Sequence, residues 1–569
     1  MSIDTSRTGP AWSAEKQLET DKALGRVYRK ARHPAGTPFP GFAPHPGFGH
    51  RVEEHPTMHI ERDVPVPTRR GIVYADVLRP KDSVDVPVLV GYAPFGKHPH
   101  YDIPTLFAGS GIPVESLSEH TTWEQFDPVQ WVEWGYAIAL VDGCGNWYSE
   151  GEATYFTPEE AWVGHDVVEW FGEQDWSNGK VGWGGVSYYA MTAWAVAATK
   201  PSHLAAILAW DASSDCYREA YLKGGIPSFP FIHGWMLLTD TGLSRVEDME
   251  AGMRNHPTFD EYWQCRVADW AAVEVPTYAV SEFPNNLHLR GTVEAWRAIG
   301  STDKFLDLRG DKEWEGFYKP ESVDRQRAFF DRYLKEIDNE VNSWPRVRIA
   351  VRTREDQWSF RDEDDWPLPD VSYRTMWLDA DSKQLTRQRP SDVSTTTYAS
   401  SDGSAVFDVR LTDRTEMTGN AKLRLWVSTD LSNDADLFVG VEKLDVDGTR
   451  VPFTYSMMYD DGPLGFGWLR ASHRELDPER STPERPWHTH AHREWLIHGE
   501  PVPVDIEIWP NSVVFEKGES LRVIVKGSPI QRYTGAYEIV FEPLHNSGNH
   551  TIHTGGEFDS YFYMPVVER

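Results

Sequence analysis

Two textures of hydrophobic patterning divide the chain near residue 345. Before it, continuous apolar runs such as Val86–Val90 and Ala137–Val141 alternate with segments of helical spacing. Unbroken apolar runs mark strands covered on both faces, as in a parallel sheet. Gly71–Leu78 alternates instead, as a half-exposed strand does, and strand signals begin at His59–Arg62. A helix is predicted after Val141, with Thr157 as N-cap, Pro158 at the first helical position and Glu160 completing a capping box. Val163, Val167, Trp170 and Phe171 then repeat at helical spacing. Strand 181–186, helix 188–199 and strand Leu204–Leu208 continue the alternation, and strands return at Val275–Val280 and Lys304–Leu308. An amphipathic helix through Val323, Phe330 and Leu334 follows. Such alternation predicts a doubly wound α/β sheet, with active groups on loops at the strands' C-terminal ends.

Three stretches fall outside that rhythm. Residues 1–55 are rich in Pro, Gly and His and read as an irregular surface extension, helical around Ala14–Lys30. Residues 217–272 show Met236, Met249, Met253 and several Trp with no strand pattern, which predicts a helical cap over the site. From 345 onward, short alternating runs (Val347–Val351, Leu423–Val427, Val504–Ile508, Leu521–Val525) are separated by turn signals such as Glu516–Gly518. That pattern predicts an antiparallel β-sandwich of Greek-key or jelly-roll type over 345–569.

Composition narrows the partners. With 569 residues, two or three domains are expected. A formal charge of −31 argues against nucleic acid or an anionic membrane surface. Three scattered cysteines, Cys144, Cys216 and Cys265, fit neither a disulfide framework nor a zinc site. Met1–Lys22 lacks the apolar core of a signal peptide, and no apolar run approaches bilayer length, so a soluble, cytoplasmic protein is expected. The 25 Trp, 23 Tyr and 25 Phe residues belong mostly to the core, and the surplus suits a pocket for a bulky, flat ligand. A small-molecule substrate is the expected partner, and a second copy of the chain, as a homodimer, is a further candidate. No metal or organic cofactor is expected.

The chemistry centres on Gly182-Trp183-Gly184-Gly185-Val186-Ser187-Tyr188. A buried strand, two glycines and a helix-forming segment place Ser187 on a sharp strand-to-helix turn, with helix N-terminal amides beside it. This is the mechanics of a nucleophile elbow. Those amides can stabilise an oxyanion. Taken alone, the segment also reads as a Gly-Ser turn between two core elements.

Gly185-Val-Ser-Tyr-Tyr-Ala-Met191, preceded by Trp176-Ser-Asn-Gly-Lys-Val-Gly182, resembles the cocaine-esterase-like (CocE/NonD) serine hydrolases, relatives of X-Pro dipeptidyl peptidases. Ala93-Pro-Phe-Gly-Lys97, Val141-Asp142 with Ser149-Glu-Gly151, Trp210-Asp-Ala-Ser-Ser-Asp215 and His553-Thr-Gly-Gly556 are similar to further landmarks of that family. The likeness runs from about residue 60 to the C-terminus. It implies an α/β-hydrolase domain over 56–216 and 273–344, a helical cap over 217–272 and a C-terminal jelly roll.

The chain departs from the family at three positions. Asn285 lies near the place of the familiar aspartate, the loop Arg309–Trp314 holds no histidine, and Phe95 stands where the resemblance implies an oxyanion-hole tyrosine. A serine without a base is a poor nucleophile. One branch of the family has a similar Leu-His-x-Arg-Gly segment followed by Glu-Trp, matched here by Leu287–Gly291 and Glu313-Trp314. The expected triad is therefore Ser187, His288 and Glu313, with base and acid exchanged between neighbouring loops and Asn285 as the alternative acid position. The competing reading has His288 capping the next helix and Glu313 paired with a surface Lys or Arg. The amide of Tyr188 is an expected oxyanion donor and, because a Phe95 ring donates nothing, the amide of Phe95 and Tyr92 are the candidates to replace the missing hydroxyl, unless the chemistry is not ordinary acyl transfer. Tyr92, Trp210, Trp235 and Met236 are the expected substrate contacts, with Trp263 also setting specificity. His488, His490 and His492 alternate as on one strand face, a spacing that imidazole–metal binding would use, but no carboxylate or Cys completes a set.

The leading expectation is a serine hydrolase cleaving an ester or amide of a bulky, aromatic small molecule through an acyl-enzyme on Ser187. The alternatives keep the fold with non-ester chemistry, as a lyase or in C–C bond cleavage, or drop catalysis for binding.

Overall fold

In a computed structural model, the described residues are 13–37, 43–98, 101–283, 285–355, 357–531 and 540–568. The extension falls partly outside them. Its described part holds helix α1 (Ala14–Ala23), N-capped by Ser13, followed by two short strands that pair with the cap. Tyr28–Lys30 runs antiparallel to Arg245–Glu247, and His33–Pro34 pairs with Thr241–Gly242. The extension is thus a strap on the cap rather than an unstructured surface wrap.

The central sheet contains β1 (Met58–Thr68), β2 (Gly71–Pro80), β3 (Val86–Ala93), β4 (Ala137–Asp142), β5 (Ser177–Val186), β6 (Leu204–Trp210), β7 (Thr277–Glu282) and β8 (Lys304–Arg309). Their spatial order is 1-2-4-3-5-6-7-8; β1 and β2 are antiparallel and β3 to β8 are parallel. Every residue of β3 and β4 is buried, as their unbroken apolar runs require. Helices α2 (Pro128–Glu133), α3 (Pro158–Gly172), α4 (Tyr188–Ala198), α5 (Phe229–Thr239), α6 (Leu289–Ala298), α7 (Glu313–Tyr318) and α8 (Pro320–Leu334) cover the sheet or form the cap.

The predicted start of α3 is present. Thr157 Oγ1 accepts from the Glu160 amide at 3.3 Å. The Glu160 carboxylate turns elsewhere, accepting from the Phe156 amide and from the Tyr188 hydroxyl, each at 2.6 Å.

The strand expected to open the sandwich behaves differently. Val347–Arg354 pairs in parallel with β8 and antiparallel with Gln357–Glu363, so the hydrolase sheet extends beyond residue 344. Its apolar residues Val347, Ile349 and Ala350 are buried in the hydrolase core, which an alternating pattern alone does not reveal.

The C-terminal half is a β-sandwich. In one layer the 15-residue strand Thr415–Thr429 lies between Val502–Phe515 and the pair Asn549–Thr554 and Tyr561–Val567. In the other, Ser404–Arg410, Ser520–Lys526, Asp436–Leu444 and Gly465–Arg470 run antiparallel in that order. Leu423, Leu425, Val439, Val441, Val523 and Val525 meet in its core.

The three expected strand-face histidines do not share a face. Residues 489–493 belong to no strand; His492 is exposed, whereas His488 and His490 are buried. His490 sits 3.2 Å from His473, and both imidazoles are driven well below their usual pKa, His490 by burial and nearby Arg218, His473 by burial and nearby Arg493 and Arg470. Among the described residues no group of three His, Cys, Asp or Glu converges in a metal-binding arrangement, and no helix is long and apolar enough to cross a membrane.

Candidate active site

Ser187 follows β5 directly and occupies the N-cap position of α4 with φ 56° and ψ −118°, a conformation that L-residues rarely adopt. The glycines explain how the chain reaches it. Gly185 has φ 135°, and a Cβ there would lie 2.2 Å from Gln125 Nε2 and 2.9 Å from Glu124 O. Backbone hydrogen bonds hold the turn: Val186 donates to Glu124 O, and Ser187 donates to Trp210 O, both at 3.0 Å. Ser187 remains partly exposed between buried neighbours. The amide of Tyr188 begins α4, where helix N–H groups have no intrahelical acceptor.

Above the turn lies a cavity of about 360 Å³. Phe95, Phe156, Phe231, Trp235, Leu238 and Trp314 supply much of its apolar wall, and Ser187, Ser213, Glu124 and His288 also line it. Trp235, expected as a substrate contact, lies in this wall. Tyr92, Trp210, Met236 and Trp263 are not part of this wall. They are buried in the core: the Tyr92 hydroxyl accepts from the Cys144 amide at 2.8 Å, and Trp210 Nε1 donates to Glu282 at 3.2 Å. Tyr92 thus has its hydroxyl engaged away from the cavity. Phe95 packs its ring on Trp123, with centroids 4.8 Å apart.

His288 comes from the loop after β7 and Glu313 from the loop after β8, and these strands are neighbours. His288 occupies the N-cap position of α6, yet its side chain makes no capping bond. Instead Nδ1 lies 2.8 Å from Ser213 Oγ, which gives its own hydrogen to Leu287 O at 2.9 Å. The single hydroxyl hydrogen being used, Nδ1 is the donor of this pair and Nε2 carries the lone pair. Nε2 has no hydrogen-bond partner and stands 3.9 Å from Glu313 Oε1. Ser187 and His288 share the cavity without a hydrogen bond between them. Glu313 is fully buried and takes its hydrogen bond from Asn285 rather than from a surface Lys or Arg.

Electrostatics favour neutral forms at rest. Burial, helped by Lys223, lowers the His288 pKa to about 3. Burial and the nearby Asp211 and Glu124 push Glu313 well above the usual carboxylate range. Sequence reasoning missed Ser213, Glu124 and Met457 as lining residues. Ser213 lay within the quoted segment Trp210–Asp215, but nothing local marked its hydroxyl as the partner of a histidine 75 positions away. Met457 arrives from the sandwich, which no hydrolase-domain pattern could announce.

Known proteins match this arrangement along the chain. Residues 72–315 match the X-Pro dipeptidyl-peptidase (S15 family) model, and residues 339–562 match the X-Pro dipeptidyl-peptidase C-terminal non-catalytic domain. A crystal structure of a CocE/NonD family hydrolase from Staphylococcus aureus is 35% identical, covering 91% of this chain and 96% of its own, with a TM-score of 0.87. The chain belongs to the CocE/NonD hydrolases. A cocaine esterase from Rhodococcus sp. (strain MB1 Bresler) is 26% identical over 90% of this chain and 99% of that protein. An α-amino acid ester hydrolase, at 16% identity and TM-score 0.67 over 89% of this chain and 96% of its own, shares the fold. This CocE/NonD chain is accordingly an enzyme, a serine hydrolase with an α/β-hydrolase domain and a C-terminal β-sandwich.

Proposed function

We propose that this hydrolase cleaves an ester or amide bond of a bulky, apolar, aromatic small molecule, with Ser187 as nucleophile, His288 as base through Nε2 and Glu313 as the carboxylate beside that nitrogen. The observation that carries this reading is the unpartnered His288 Nε2 lone pair in the wall of the same aromatic cavity onto which Ser187 is turned. Substrate binding closes the gap, as catalytic hydrogen bonds often tighten only in the Michaelis complex.

Nε2 then takes the Ser187 proton as Oγ attacks the carbonyl carbon. The tetrahedral oxyanion meets the amide of Tyr188, with the Phe95 amide as second donor. The imidazolium proton passes to the leaving oxygen or nitrogen, releasing the first product and leaving an acyl-enzyme. Water gives a proton to Nε2, attacks the acyl carbon, and the acid departs as Ser187 regains its proton. The ionised Glu313 stabilises the imidazolium in both halves. The Rhodococcus relative, a cocaine esterase, favours an ester, and the S15 match keeps amides within the reading.

A fluorophosphonate probe with a panel of aromatic esters and amides tests it. The wild-type chain is expected to label and to turn over at least one panel member. Ser187→Ala should abolish labelling, and both Ser187→Ala and His288→Ala should lose more than about 10⁴-fold in kcat. Labelling that survives Ser187→Ala, or turnover that survives His288→Ala, overturns the assignment.

A further inference from the structure

Asn285 is 1% exposed and sits between the two loops that carry His288 and Glu313. Its side-chain oxygen accepts from the backbone amides of Leu287 and His288, both at 2.9 Å. Its side-chain nitrogen donates to Glu313 Oε2, again at 2.9 Å. Its own backbone amide donates to Glu282 O at 2.9 Å, so the residue is also fixed to the end of β7. One planar group therefore accepts from the histidine's loop and donates to the carboxylate. An aspartate, with two acceptor oxygens when ionised, could do only the first.

We propose that Asn285 is a positioning residue whose amide ties the His288 backbone to Glu313 and, by donating to Oε2, favours the ionised form that Glu313 must take when His288 becomes charged. The inference rests on the Ser187–His288–Glu313 reading above. The chemistry gives the tie its purpose. Glu313 lies near Asp211 and Glu124, and its Oε1 has no hydrogen-bond partner. Burial and both neighbours favour its protonated form, and the Asn285 hydrogen bond opposes them. A neutral Glu313 cannot stabilise the imidazolium, and an unsupported His288 is too weak a base for neutral pH. The departure from the family's aspartate then becomes a requirement. Once the carboxylate has moved to the next loop, a donor must face it.

The test compares the full chain with Asn285→Asp, Asn285→Ala, Glu313→Gln and the double variant Asn285→Asp/Glu313→Gln. The readouts are kcat/KM for one hydrolysed aromatic ester from pH 5 to 9, the fluorophosphonate labelling rate, and thermal unfolding. Asn285→Asp is expected to lose at least about tenfold in kcat/KM at pH 7, and to move the acidic limb of the profile upward by about one pH unit. The double variant should be no slower than Glu313→Gln alone, because both changes act through one group.

Wild-type activity and an unshifted pH profile in Asn285→Asp, beside a strongly impaired Glu313→Gln, overturn this inference and leave the triad standing. So does a multiplicative loss in the double variant. Full activity in Glu313→Gln overturns the triad and this inference together. Should the aspartate variant fail to fold, Asn285→Ala carries the same double cycle, having lost the donor without gaining a charge.

Discussion

The two walls of the cavity are held in place by different means. Backbone holds the elbow wall: glycines at 184 and 185, a serine at positive φ, and main-chain hydrogen bonds to Glu124 and Trp210. The wall bearing His288 is held by side chains, many of them distant in sequence. Asn286 Nδ2 donates to the Tyr455 hydroxyl of the sandwich at 2.5 Å, and Lys223 Nζ donates to Asn286 O. Lys223 is itself enclosed by the sandwich rings Trp468, Trp509 and Phe541, at 5.0, 5.5 and 5.9 Å. A nucleophile on a strained turn needs a rigid scaffold. The proposed base and acid, on two neighbouring loops, need adjustable ties, and here the second domain supplies some of them.

If the backbone truly sets the elbow, its glycines should be the least replaceable positions. Gly185→Ala forces a Cβ against Gln125, Tyr189 and the Glu124 carbonyl while φ stays positive. A loss of about 3 kcal/mol or more is expected, from overpacking together with backbone strain. Denaturant unfolding checks it. A folded Gly185→Ala chain of wild-type stability would show that the turn can relax and would erase the contrast between the walls.

A second comparison concerns the anchor of the elbow helix. Glu160 accepts from Tyr188, the residue after the proposed nucleophile, and burial raises its pKa to about 7 from the usual 4.5. Between those values the folded chain holds a proton that the unfolded chain has lost, so this group's contribution to stability falls as pH rises. Glu160→Gln removes that dependence. Relative to wild type, the glutamine variant should gain stability from pH 4.5 to 7, by up to about 3 kcal/mol. Parallel stability curves for the two chains would sink the assignment.

How much of this was legible follows the same division. The parallel strands, the start of α3 and the elbow announce themselves because local pattern and local chemistry agree. Val347–Arg354 escaped because it alternates like a sandwich strand while adding to the hydrolase sheet. Tyr92, Trp210 and Met236 were plausible wall residues by type, but burial turned them into core. His288 and Glu313 could be brought together only through the family resemblance and the adjacency of β7 and β8. The ties through Ser213, Asn285 and Tyr455 have no short-range signature at all.

The oxyanion side lies on the elbow wall, yet it lacks the donor that the family resemblance implies. Phe95→Tyr adds a hydroxyl at a cavity-lining ring beside Tyr188, whose centroid is 5.8 Å away. Ester turnover is expected to rise by about tenfold in kcat, a fraction of what one full oxyanion donor contributes. Unchanged kcat with weaker binding would mean that the backbone amides already saturate the oxyanion.

The smallest expected effect probes the other wall most directly. Tyr455→Phe removes only the oxygen that receives the Asn286 side chain, leaving the ring to pack at 4.9 Å from Phe466. The cost in stability should be about 1 kcal/mol, that of a partly buried donor losing its partner. Because Asn286 lies two residues before His288, kcat/KM should fall by about threefold, with the fluorophosphonate labelling rate falling in step. A drop in stability with no change in labelling would confine the sandwich to a packing role. A parallel fall in both rates, with elbow variants such as Glu160→Gln leaving the histidine's pH profile untouched, would assign the sandwich to the base and the backbone to the nucleophile.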